Sequence, residues 1–322
     1  MSAVVIKDLG RHFPSQWAVR NLSLTIEPGQ IMGFIGPNGA GKSTTMRILA
    51  TLDLPTEGSC SVAGFDCVND AVEVRRVVGF MPDSYGAYPN MTIFEYLDFF
   101  ARSYGLRGDG RRRTVNDIID FCQMGKMQEK LVTTLSKGMK QRLCLGRCLI
   151  NDPRVLILDE PTAGLDPRAR IEFRDLLRIL IGQGRAVLIS SHILSELEEI
   201  CNQVAIIEHG KLVAEGSVAA VKARARAGMA LGAIDGDAIL RMEIRVAEDF
   251  TGMASLLAEQ PMVQSVREEG HGSWTCTLPA DPQQRAALLQ ALAAGGAPIF
   301  HYAAQDENLE QAFMHLTKGV VS

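Results

Sequence analysis

No stretch of this sequence approaches the ~18 to 20 uninterrupted apolar residues that cross a bilayer as a helix. The best candidate, residues 286–300, is rich in alanine and glycine and is broken by Gln290, Gly295, Gly296 and Pro298. The first residues, Met1-Ser2-Ala3-Val4-Val5-Ile6-Lys7-Asp8, show no secretory pattern. Cysteine pairs at C-x-x-C spacing are missing, and the seven cysteines (Cys60, Cys67, Cys122, Cys144, Cys148, Cys201 and Cys276) form no framework. An odd, scattered set fits a reducing compartment. Cys144 and Cys148 share one face of an expected helix, yet no histidine accompanies them at ligand spacing. They read as small buried hydrophobes rather than metal ligands. Positive charge is not in excess, with 33 Lys+Arg against 37 Asp+Glu, which gives no support for non-specific nucleic-acid binding. The one basic cluster, Arg111-Arg112-Arg113 beside Gly108 and Gly110, reads as a solvated loop. Internal repeats and low-complexity tracts are also missing. What remains reads as a soluble chain of 322 residues, 47% hydrophobic and 22% charged, long enough for two globular domains. If it works at a membrane, another chain must do the spanning.

Against these absences stands one complete motif. Gly36-Pro37-Asn38-Gly39-Ala40-Gly41-Lys42-Ser43-Thr44 is a phosphate-binding loop of the form G-x-x-x-x-G-K-[ST]. An apolar run, Gln30-Ile31-Met32-Gly33-Phe34-Ile35, precedes it as a buried strand, and Thr45-Met46-Arg47-Ile48-Leu49 follows as a helix start. Glycines let backbone N–H groups turn inward into an anion nest, and the helix N-terminus adds its partial positive charge. Lys42 is placed to bridge outer phosphates and Ser43 to hold Mg²⁺.

Along the chain, the first ~220 residues alternate strand-like and helix-like segments in the manner of an α/β domain. Strands are expected at residues 4–6, 22–26, 59–62 and 76–81. Helical periodicity takes over from residue 92 to 124, carried by Ile93, Tyr96, Leu97, Phe100 and Ala101 and then by Val115, Ile118, Ile119 and Cys122. Continuous apolar strands return at 155–158, 186–189 and 204–207, as in a sheet covered on both faces. Residues 222–240, rich in Ala, Gly and Arg at their start, are expected to be a linker. The remainder, 241–322, reads as strand (241–246), helix (250–258), strand (263–267), strand (273–278), helix (283–294) and strand (299–303). That order resembles a split βαβ arrangement. A last amphipathic helix over 307–316 carries Leu309, Ala312, Phe313 and Leu316 on its apolar face.

Val155-Leu156-Ile157-Leu158-Asp159-Glu160 is a hydrophobic strand ending in two acids. In a phosphate-loop fold the first, Asp159, coordinates Mg²⁺ directly or through water, and the second, Glu160, polarises an attacking water. Between the two motifs lies Leu135-Ser136-Lys137-Gly138-Met139-Lys140-Gln141-Arg142. Ser136 reads as an N-cap and Gly138 as a point of close backbone approach. Alone, this octapeptide is equally an ordinary capped helix.

Taken in order, these motifs resemble the ATPase subunit of ATP-binding cassette (ABC) transporters, over roughly residues 4 to 220. Ser136-Lys137-Gly138-Met139 is similar to the family's signature motif, Gly164-Leu165-Asp166 to its D-loop and Ser190-Ser191-His192 to its switch histidine. Asp83, after Phe80-Met81-Pro82, falls at the Q-loop, and Phe13, after Arg11-His12, falls where an aromatic stacks on adenine. The form Leu-Ser-Lys-Gly-Met-Lys-Gln, with the ending Asn308-Leu309-Glu310-Gln311-Ala312-Phe313, resembles the ABC-2 type exporter branch. Two departures stand out. Lys137 and Met139 replace the signature's usual glycine and glutamine, and Asp83 replaces the Q-loop glutamine. Aspartate is shorter and anionic. It approaches Mg²⁺ through a water but donates no amide hydrogen bond.

The resemblance implies a phosphate-loop ABC ATPase domain over 1–221 with a helical subdomain at about 85–149, followed by a small α+β accessory domain that regulates or dimerises. It implies ATP and Mg²⁺ as cofactors. ATP is then held by Phe13, by Gly36, Asn38, Gly39, Ala40, Gly41, Lys42, Ser43 and Thr44, and by Ser136, Gly138 and Asp166. Ser43, Asp159 and Asp83 stand by the metal, and Glu160 and His192 are catalytic. It implies a head-to-tail homodimer, a permease in the membrane and a place on its cytoplasmic face, with no nucleic acid. The other five histidines (His12, His209, His271, His301 and His315) read as surface or packing residues. Two competing functions are an ABC ATPase acting on ribosomes or DNA, and a nucleotide-binding regulator without turnover. Against the first stand the single cassette and the charge balance. Against the second stand Glu160 and His192.

Overall fold

The computed structural model describes residues 1–83, 86, 90–230, 239–247, 250–279, 281–304 and 309–317. Contacts divide the chain at Val221/Lys222 into two compact units. The first unit opens with β1 (Val4–Phe13), β2 (Gln16–Ile26), β3 (Ile31–Ile35), α1 (Lys42–Leu49), β4 (Glu57–Val62), β5 (Phe65–Asp66), α2 (Ala71–Val77) and β6 (Val78–Met81). Three longer helices follow, α3 (Ile93–Ser103), α4 (Gly108–Phe121) and α5 (Lys137–Leu149). Then come β7 (Val155–Leu158), α6 (Pro167–Gly182), β8 (Ala186–Ser190), α7 (Leu194–Ile200), β9 (Gln203–Glu208) and β10 (Lys211–Ser217), and the division falls within the helix that follows, α8 (Val218–Ala230).

Two sheets share one core. The antiparallel sheet has the order β2-β1-β4-β5, and the six-stranded sheet β10-β9-β3-β8-β7-β6. In the latter, β9, β3, β8, β7 and β6 run parallel, with β10 antiparallel at the edge. Ile6, Leu22 and Val62 of the first sheet pack with Phe34, Ile157 and Leu188 of the second and with Met46 and Ile48 of α1. β3, β7 and β8 are buried at every residue, so they read as unbroken apolar runs. Parallel pairing places the chain segments that leave β3, β6, β7 and β8 at one end of the sheet, where open α/β sheets bind ligands. Those segments are the phosphate loop, Asp83, Asp159-Glu160 and Ser191-His192.

The helical subdomain has its own core, with Ile93, Tyr96, Leu97, Ala101, Val115, Ile118 and Leu143 fully or nearly buried. A capping box between Thr92 and Glu95 starts α3. Residue 85, where this subdomain was expected to begin, lies outside the described residues.

Several local expectations are corrected. Residues 76 and 77 end helix α2 instead of opening a strand. Only Val74 of that helix is fully buried, so it offers the sequence almost no apolar period. The Arg111-Arg112-Arg113 cluster is no loop but the second turn of α4. Arginine is a good helix former, and Arg111 Nε is captured by Asp98 Oδ1 of α3 at 2.6 Å. The expected linker is helical from 222 to 230, as the greater part of α8. Alanine, lysine and arginine favour helix without periodicity, and Val221 and Ala225, at i,i+4 spacing, are the buried residues among 218–225. Residues 231–238 lie outside the described residues.

The second unit contains β11 (Ile239–Val246), α9 (Met253–Ala258), β12 (Ser265–Gly270), β13 (Ser273–Pro279), α10 (Pro282–Ala294), β14 (Ile299–Ala304) and α11 (Leu309–Leu316). Its sheet order is β12-β13-β11-β14, antiparallel throughout, which is the split βαβ arrangement expected. In α11, Leu309 and Ala312 are buried as the apolar face requires, while residue 308 lies outside the described residues.

Candidate active site

The phosphate loop leaves β3 and enters α1 at Gly41, whose φ of 101° places it in the left-handed region. Glycine is required twice over there, because a Cβ would also lie 2.4 Å from Ala18 O. The loop borders a cavity of about 370 Å³, lined by residues 38–44, by Phe13, Gln16 and Ala18 of the first hairpin, and by Asp83 and Glu160. Phe13 is thus brought to residues 38–44 of the phosphate loop from 25 residues or more away. Its ring is backed by Arg11, whose guanidinium carbon lies 4.8 Å from the ring centroid and which pairs with Asp53 at 2.8 Å. Gln16 and Ala18 carry no sequence signal and come to the cavity only through the hairpin.

Lys42 is buried and turned back on its own loop. Its Nζ donates to Gly36 O at 2.6 Å and Pro37 O at 3.1 Å. Burial pulls its pKa below the ordinary lysine range, and the negative charges of Glu160 and Asp159 oppose that pull. Reaching a phosphate requires Nζ to exchange two carbonyls for phosphate oxygens.

Asp159 is 4% exposed at the end of β7. Its Oδ1 accepts from Ser190 Oγ at 2.6 Å, and Ser190 Oγ in turn accepts from Glu160 N at 2.9 Å. Glu160 sits at φ 50°, a conformation that costs a non-glycine residue about 1–3 kcal/mol and needs support from its surroundings. Its Oε2 lies 2.7 Å from His192 Nδ1 and accepts from His192 N at 3.4 Å. The imidazole tautomer protonated at Nδ1 makes the first of these bonds.

Ser43 and Asp83 line the cavity and Asp159 closes β7 beside Glu160, and all three offer oxygen donors of the kind Mg²⁺ takes. Among the described residues there is no cluster of three His, Cys, Asp or Glu able to cage a metal.

Ser136 caps α5, accepting from Met139 N at 3.3 Å, and Asp166 caps α6, accepting from Ala169 N at 2.9 Å. The two helix starts press together, since a Cβ on Gly138 would lie 2.8 Å from Ala169 Cβ. Lys137 Nζ, the free-moving end of its side chain, lies over Gly164, whose φ of 66° is itself a conformation that favours glycine. Neither Ser136, Gly138 nor Asp166 lines the phosphate-loop cavity. Within one chain these three residues therefore take no part in the phosphate-loop cavity.

Comparison with known proteins bears directly on this arrangement. A family model described as ABC transporter matches residues 19–163. The chain is 32% identical over 313 residues to the Nod factor export ATP-binding protein I of Ralstonia nicotianae (strain ATCC BAA-1114 / GMI1000), covering 97% of this chain and 92% of that one. The chain belongs to the ABC transporter ATP-binding family. Among solved structures, an ATP binding subunit of an ABC transporter is 27% identical, with a TM-score of 0.63 over 69% of this chain and 93% of that one. A bacterial ABC transporter cassette solved as a dimer shares the fold, at 24% identity and a TM-score of 0.61 over 66% of this chain and 98% of that one. This ABC protein is an ATP-hydrolysing subunit of a transporter, and its fold is the mixed α/β cassette the motifs implied.

Proposed function

We propose that this ABC subunit powers an exporter by ATP-driven closure of a homodimer, working with a permease in the membrane. The observation that carries the reading is the Glu160–His192 pair, set at 2.7 Å, with Glu160 on the wall of the phosphate-loop cavity. In this reading Gly36, Asn38, Gly39, Ala40, Gly41, Lys42, Ser43 and Thr44 cradle the phosphates, and Phe13 stacks on the base. Ser43, Asp159 and Asp83 hold Mg²⁺, which when bound neutralises charge on the phosphate oxygens. Glu160 orients water and takes its proton. His192 steadies Glu160 and reaches the terminal phosphate. Ser136, Gly138 and Asp166 of a second copy complete the site, which explains why they stand apart from the cavity of their own chain. ATP bridges the two surfaces and favours the closed pair by its differential affinity. Positioning and electrostatics then do most of the catalysis.

Export is supported by the signature's form and by the export protein among the relatives. A separate spanning partner is what the reading requires, since no helix among the described residues is long and apolar enough to cross a membrane. The helical subdomain around α3–α5 is its proposed docking element. The reading as a ribosome or DNA ATPase gains nothing from these relatives.

The test is Glu160→Gln in the full chain. Phosphate release is expected to fall about 10²- to 10⁴-fold while ATP still binds, and light scattering with Mg-ATP is expected to show a dimer. Unimpaired turnover would remove Glu160 as the base. Monomers at saturating Mg-ATP, with a membrane partner supplied, would remove the closure mechanism.

A further inference from the structure

Behind the Glu160–His192 pair lies a second set of polar contacts that the motifs do not use. Thr162 is 3% exposed, and its Oγ1 donates to Glu196 Oε2 at 2.6 Å. Glu196 sits on α7, four residues beyond His192, with its carboxylate 13% exposed. Its Oε1 faces Arg170 Nη1 of α6 at 3.0 Å as an ion pair. Arg170 Nε donates to Leu165 O at 3.0 Å. These contacts close a ring through three segments: the one that carries Glu160, the helix that follows His192, and the start of α6 behind Asp166.

A largely buried carboxylate is costly unless it is paired and hydrogen-bonded. Glu196 accepts the Thr162 hydroxyl with one oxygen and faces the Arg170 guanidinium with the other, as an ion pair without a hydrogen bond, so its carboxylate serves two different segments. Neither Thr162 nor Glu196 reaches the cavity. What the ring does is geometric. Thr162 lies two residues after the strained Glu160 backbone, and the ring joins that position to the helix behind His192. It therefore limits how far the glutamate and the histidine drift apart.

We propose that Thr162, Glu196 and Arg170 act as positioning residues that set the Glu160–His192 separation and thereby the rate of hydrolysis rather than nucleotide binding. This rests on the roles given above to Glu160 and His192. A misplacement of about 1 Å in a catalytic group costs on the order of 10²-fold in rate.

The test uses the full chain, with turnover normalised to bound nucleotide. Thr162→Val keeps the shape and removes the hydroxyl. Glu196→Gln keeps an acceptor and removes the charge. Each is expected to lower kcat about tenfold or more with KM for ATP changed less than about twofold, and Thr162→Ser to return kcat to within about twofold of wild type. The double variant is expected to fall no further than the worse single one, because both break the same ring. Wild-type kcat in Glu196→Gln overturns the proposal, even if Thr162→Val fails to fold. So does a loss that appears only in KM, or a Thr162→Ser protein as slow as Thr162→Val. Glu160→Gln measured alongside separates the two claims. If it is inactive and the ring variants turn over normally, the ring alone fails. If it turns over normally, the underlying reading falls and takes the ring with it.

Discussion

At the scale of single residues, the site is held by side chains whose value lies in what they touch. Ser190 is the clearest example. Its hydroxyl is fully buried, accepts from the amide of Glu160 and donates to the carboxylate of Asp159. Ser190→Ala leaves both groups short of a partner. It is expected to lower stability by about 1–3 kcal/mol and to reduce ATP turnover, read by urea unfolding and phosphate release. Unchanged turnover would show that the left-handed backbone of Glu160 needs no support from β8. The sequence places Ser190 two residues before His192 in a motif, but nothing in that motif says that it bridges the Asp159 carboxylate and the Glu160 amide just past β7.

At the scale of elements, the helical subdomain depends on a charged tie between α3 and α4. Asp98 accepts from Arg102 Nε at 2.7 Å and Arg111 Nε at 2.6 Å. Arg102 is largely exposed, so solvent screens it and Arg111 dominates. Burial by itself raises the Asp98 carboxyl, but the arginine bonds outweigh it and hold the pKa below the ordinary range. A carboxyl depressed by folding contributes its stability above the unfolded pKa, roughly 3.9, and loses it as pH falls through the folded value. Asp98→Asn is therefore expected to cost roughly 2 kcal/mol at pH 7, with the gap to wild type closing as pH drops below about 3.9. Urea midpoints across that range check it. The same tie explains why the arginine cluster misleads as a sequence. Three arginines beside two glycines signal a solvated loop locally, whereas in the fold Arg111 is tied to a carboxylate 13 residues upstream and the same helix buries Val115, Ile118 and Ile119. Helix α2 was illegible for the complementary reason. It buries only Val74, too little to impose a period, whereas β3, β7 and β8 bury all of their residues and could be read directly.

At the scale of the whole molecule, every residue that lines the phosphate-loop cavity lies between positions 13 and 160. A chain ending after Ala230 keeps that cavity, His192 and all of α8. It is expected to bind ATP within roughly threefold of the full chain, a difference under about 0.7 kcal/mol, as isothermal calorimetry would measure. A larger loss would assign the second unit a part in nucleotide binding. By itself the sequence determined what short-range physics decides: the glycine loop between strand and helix, the acid pair closing an apolar strand, the cap at Ser136, and the βαββαβ order of the second unit. Only the tertiary structure decided which distant groups meet. Leu158 pairs with Ile189 in parallel register, and that pairing sets the ends of β7 and β8 side by side. Glu160 thereby finds His192 across 32 residues and Thr162 finds Glu196 across 34. Such contacts follow from the order in which strands assemble into a sheet, and no residue type or local spacing encodes that order.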